Sequence, residues 1–133
     1  MGQAWREAYN HPREIAKVAE RFPALRAVVA HFAQPHLAAC RELLLSYPNV
    51  HADISGLADA NVTRVCGKEA IACSLAAVAE AQPGKILFGT DWPVCDAREQ
   101  LLLIHSLRIS ETSKALILAG NAAKVFGLEG ILL

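Results

Sequence analysis

Neither sign of charge is in excess in this sequence. Thirteen Lys and Arg balance thirteen Asp and Glu, and no basic cluster stands out. That excludes nucleic acid as the main partner, because phosphate binding needs concentrated cations. No apolar run approaches the roughly 20 residues that span a bilayer, so no membrane partner is expected. The first residues, MGQAWREAYN, are polar and have no secretory apolar segment. Arg6 stands where a myristoylation signal wants Ser or Thr. Cysteine is sparse: Cys40, Cys66, Cys73 and Cys95 form no CxxC pair. Neither a zinc knuckle nor a disulfide framework fits such spacing. The four read as reduced thiols, mostly small core fillers, in a cytoplasmic protein. Linkers, low-complexity tracts and heptad arrays are also missing, which leaves one domain over residues 1–133.

What is present is apolar. Hydrophobic residues make up 53% of the 133, enough for one core and too many for a disordered chain. Strand and helix signals alternate along it. Pro12 suits a first helical turn, Ile15, Ala16, Val18, Ala19 and Phe22 recur at helical spacing, and Pro23 stops them. Leu25 to Phe32 reads as a buried strand, His36 to Ser46 as a helix, and Val50 to Ser55 as a second strand closed by Gly56. Asp59 to Gly67 has no clear period and reads as a loop. Lys68 to Ala81 is an Ala-rich helix, Lys85 to Thr90 a third strand, and Ala97 to Leu107 a helix. Ser110 caps Glu111 to Ala119, Gly120 ends that helix, and Asn121 starts a short last one through Phe126.

Short apolar strands alternating with helices predict a parallel sheet covered by helices, an α/β fold. Such units build doubly wound sheets or (β/α)8 barrels, and both bind ligands at the C-terminal ends of their strands. Three strands are too few for either, and a barrel takes about 250 residues. The chain thus reads as part of a larger architecture, or as a subunit that must pair.

The strand ends carry the chemistry. Asp91 follows the third strand in ILFGTDWP, and His31 holds the equivalent place after Ala27 to Ala30. An acid and an imidazole from different strands can converge on a divalent metal, or on a water that must lose a proton. Each residue also has a plainer reading. An Asp after a strand often only caps a turn, and a lone His is more often a hydrogen-bonded structural residue. Asp53, late in the middle strand, reads as structural, bonding amides near Ser55 and Gly56. His11, His36, His51 and His105 read as residues of solvated faces or loops. Trp92 either lines a pocket or packs, Pro93 stiffens its loop, and Cys95 reads as unreactive.

Four segments carry a resemblance: HPREIAKVAERFPALRAVVAHF, YPNVHADISG, KILFGTDWP and ILAGNAAKVFGL. In this order and spacing the chain resembles the C-terminal half of the amidohydrolase-related family, from about His11 to Leu128. That family includes the 2-amino-3-carboxymuconate semialdehyde decarboxylases and the 2-pyrone-4,6-dicarboxylate lactonases. The resemblance implies a (β/α)8 barrel, incomplete here, with about strands six to eight present. It implies a hydrolase or decarboxylase acting on a small carboxylate-bearing molecule, with a divalent metal, zinc, as cofactor. Asp91 falls on the family's metal-binding Asp and His31 on its acid/base His. Trp92 and Phe32 fall beside the substrate pocket. Phe32-Ala33 stands where the family often has Gly-Gly.

The family's other metal ligands, an HxH pair and a further His, lie on earlier strands that have no counterpart here. The chain alone is therefore expected to bind metal poorly. Two other readings stay open: a metal-independent lactonase with Asp91 as base, and a non-catalytic half-barrel that forms a homo-oligomer or docks on a complementary half.

Overall fold

The computed structural model describes residues 10–130. Three parallel strands form one sheet in the order β1-β2-β3: β1 (Ala27–Val29), β2 (Val50–Asp53) and β3 (Ile86–Leu87). Ala27 pairs with Val50 and Val29 with Ala52; Ala52 then pairs with Ile86 and Asp53 with Leu87. α1 (Pro12–Arg21) precedes β1, α2 (Leu37–Ser46) joins β1 to β2, and α3 (Ala60–Cys66) and α4 (Lys68–Ala81) join β2 to β3. After β3 come α5 (Ala97–Ser106), α6 (Glu111–Ala115) and α7 (Asn121–Phe126). The α/β alternation and the parallel sheet are as the sequence predicts.

Local chemistry explains the elements. Pro12 opens α1, and the His11 ring accepts from the Arg13 amide at 3.2 Å as its cap. Asp59, Asp96 and Ser110 cap α3, α5 and α6 with side-chain oxygens. Val50, Ala52 and Ile86 face the helices and are fully buried with Leu44, Leu75, Val78, Ile104 and Ile117. Two buried polar side chains brace the sheet at opposite ends. At the N-terminal end, the Lys85 ammonium donates to the carbonyls of Tyr47, Pro48 and Val50 at 2.6, 3.1 and 2.9 Å. At the C-terminal end, the Gln100 amide donates to the Ile54 carbonyl and, at 3.0 Å, to that of Gly89. Its oxygen accepts from the Ala58 amide at 2.8 Å.

Four expectations change. The first strand ends at Val29 because Ala30–Ala33 coils into a tight turn, with φ of 57°, 48° and 50° at His31, Phe32 and Ala33. The third strand keeps only two residues. Two groups on its outer side are partnered by the chain itself: the Phe88 amide donates to the Ile117 carbonyl at 3.0 Å, and Asn121 Nδ2 donates to the Ile86 carbonyl at 2.8 Å. Asp59 to Gly67 is not a loop, since its Asp cap starts α3. Gly120 does not end a helix; it keeps φ −59° and ψ −40°, and a π-helical turn, Leu116–Gly120, runs straight into α7.

Candidate active site

The site is built from the segments that leave the three strands. After β1 the chain turns left-handed, and His31 is held by its own backbone: its amide donates to Asp53 Oδ1 at 3.0 Å. The same oxygen accepts from the Ser55 amide at 3.0 Å and from the Ser55 hydroxyl. Asp53 thus bonds the amide of Ser55, the structural role expected, and also fixes the turn that carries His31. The imidazole lies against Ser55, with Nδ1 2.9 Å from its hydroxyl and 3.0 Å from its carbonyl.

Asp91 reaches the same place from β3. It is exposed, left-handed at φ 62°, and its carbonyl accepts from the Val94 and Cys95 amides. Gly56 shows the convergence. A Cβ built on it would stand 3.4 Å from Asp91 Oδ2 and 3.6 Å from His31 Nδ1. Its φ of +73° also suits glycine. The acid and the imidazole therefore share the space over one glycine. Gly89 lets β3 approach equally closely, since a Cβ there would meet that of Ser55 at 3.1 Å.

The other expected residues divide. Phe32 is 0% exposed, and the left-handed turn directs it into the hydrophobic core. Trp92 is 75% exposed and neighbours Asp91 on an open lip. Phe32 and Ala33 occupy the left-handed positions that Gly-Gly would take without penalty. His51 is not on a solvated face: it is half-buried in β2, and its Nδ1 is buried without a partner. Burial, with the charges of Lys85 and Arg26, holds its pKa below the ordinary imidazole value. Cys40 and Cys95 are buried, but Cys73 is exposed and Cys66 half-buried, so only two of the thiols fill core.

Ser55 and Gln100 were not singled out by sequence. The signal for Gln100 is a polar side chain one helical turn before the buried Ile104, on the inward face of α5.

Asp91 and His31 supply two donors, an oxygen and a nitrogen, of kinds that divalent metals accept. Among the described residues no group of three or more His, Cys, Asp and Glu lies close enough to hold a metal ion. The pair fits part of a metal site.

Parallel strands covered by helices, with an acid and an imidazole on the loops beyond the strands' C-terminal ends, fit a portion of a (β/α)8 barrel. The amidohydrolase family model matches residues 5–128, and the chain belongs to that family. It is similar to a TIM-barrel protein of Bordetella bronchiseptica, with 25% identity and a TM-score of 0.72, covering 92% of this chain and 41% of that one. It is also similar to a zinc-bound amidohydrolase of Burkholderia multivorans, with 26% identity and a TM-score of 0.72, covering 88% and 49%. A manganese-bound dihydroxybenzoic acid decarboxylase of Polaromonas shares the fold at 18% identity and a TM-score of 0.60, covering 84% and 36%. The chain thus spans less than half the length of these proteins. No curated protein matches it.

Proposed function

We propose that this chain carries part of the active site of an amidohydrolase-type barrel. Completed, that barrel performs metal-assisted hydrolysis, or non-oxidative decarboxylation, of a small carboxylate-bearing substrate. The observation that supports this is the shared space over Gly56, where side chains from two strands meet.

Asp91 is the residue that holds the divalent metal, zinc in this proposal, together with ligands from the rest of the barrel. A bound metal supplies Lewis acidity and a water of lowered pKa. In the hydrolytic branch, His31 takes the proton from the attacking water and returns it to the leaving group. Asp53 and Ser55 keep that imidazole in place. Trp92, on the lip, meets the substrate. If the reaction instead needs no metal, Asp91 is the base that activates water, and turnover survives chelation.

The test is Asp91→Asn in a complete barrel that includes this segment, assayed on lactones and aromatic carboxylic acids before and after chelation. Turnover should fall by about two to four orders of magnitude with an unchanged circular dichroism spectrum. Unchanged turnover removes Asp91 from the mechanism.

A second reading, a non-catalytic subunit, is favoured by one feature. The outer side of β3 is occupied by Ile117 and Asn121 of the same chain, so this edge is closed without a further strand.

A further inference from the structure

The hydrogen bonds around His31 determine which of its nitrogens carries the proton. Asp53 Oδ1 takes three donors: the His31 amide, the Ser55 amide and the Ser55 hydroxyl. A carboxylate only accepts, so the hydroxyl proton of Ser55 points at Asp53. What Ser55 Oγ offers His31 Nδ1, 2.9 Å away, is then a lone pair. The second neighbour of Nδ1 is the Ser55 carbonyl at 3.0 Å, which also only accepts. Two acceptors converge on one ring nitrogen, and that nitrogen must be the donor.

We propose that Asp53 and Ser55 act as a positioning pair that holds neutral His31 in the Nδ1–H tautomer, leaving Nε2 as its open lone pair. The inference rests on the reading of His31 as the acid/base group and deepens it. A base needs a lone pair on the side facing substrate, and a metal ligand needs the same; the opposite tautomer would present an N–H there. One carboxylate does two jobs, fixing the backbone of the His31 turn and, through a hydroxyl, the protonation pattern of its ring. When Nε2 takes a proton, both ring nitrogens become donors.

The experiment is a long-range proton–nitrogen NMR correlation on the uniformly nitrogen-15-labelled chain, at a pH above the imidazole range. The wild-type spectrum should show His31 Nδ1 as the protonated, pyrrole-type nitrogen and Nε2 as the pyridine-type one. Asp53→Ala frees the Ser55 hydroxyl to donate to Nδ1, so the Nε2–H population should rise. Asp53→Asn retains an accepting oxygen and should restore the wild-type pattern. Asp53→Ala combined with Ser55→Ala should show no rise, because only the carbonyl acceptor remains. A wild-type Nε2–H tautomer overturns the proposal, and that spectrum needs no variant to fold. So does an equal shift in Asp53→Ala and Asp53→Asn, or a shift that survives loss of the Ser55 hydroxyl. The readout does not use turnover, so an inactive barrel, or one in which His31 is not the base, leaves this result standing.

Discussion

Gln100→Leu removes the brace at the C-terminal end of the sheet while keeping the size of a side chain that is 0% exposed. Three hydrogen bonds disappear: two from the amide to the Ile54 and Gly89 carbonyls, and one from the Ala58 amide to its oxygen. Each is worth about 1 kcal/mol net, and a buried carbonyl left without a partner costs about 1–3 kcal/mol more. Leucine recovers about 1–2 kcal/mol through its own burial. The balance is a loss of about 2–5 kcal/mol, a large share of the roughly 5–15 kcal/mol that holds a domain together. Urea unfolding followed by circular dichroism reads it directly. With a slope of about 1.5 kcal/mol/M, the midpoint should drop by about 2 M. A drop below about 0.5 M would refute the assignment of Gln100 as the link between the Ser55 and Gly89 segments.

Ala33→Gly should raise stability by up to about 1 kcal/mol, since it relieves a left-handed alanine at the cost of one buried methyl; thermal unfolding checks the sign. The folded-state pKa of His51 lies below the ordinary 6.5, so between those two values the unfolded chain binds more protons and stability rises with pH. Acidification through about 6.5 should therefore cost stability, and His51→Gln should flatten that part of the curve in urea titrations across pH. Burial pushes the Cys40 thiol up to about 12, whereas Cys73 is exposed. Iodoacetamide followed by peptide mass spectrometry should label Cys73 in the folded chain and Cys40 only after unfolding.

The order of strands and helices was legible because β-branched and aliphatic runs around Val28, Val50 and Ile86 sit between helical repeats. Strand lengths were not legible. Phe32 continues the apolar run of β1, yet it is buried by a left-handed turn, and hydrophobicity does not distinguish the two. The helix α3 was hidden by its short length and by Val62, Thr63 and Val65, although Asp59 carried the capping signal. Asp91 and His31 stood out because each follows a strand, where barrel chemistry is placed. Ser55 could not stand out in the same way. Its contact with His31 spans 24 residues of sequence and exists only once β1 and β2 lie side by side. His51 was misplaced because a histidine in a four-residue strand has no pattern to show which way it faces.

The closed side of β3 has a consequence for how such chains meet. In the non-catalytic reading the sheet, counted as a bonding unit, has a valence of one, whereas a completed barrel uses both of its edges. Ile117 and Asn121 occupy the β3 side, and β1 is the strand at the other end of the sheet. Edge pairing through β1 terminates at two chains, where a sheet open on both sides could propagate without limit. The direction of the incoming strand then identifies its source. A second copy related by two-fold symmetry meets β1 antiparallel, whereas a strand that completes a barrel must run parallel to it.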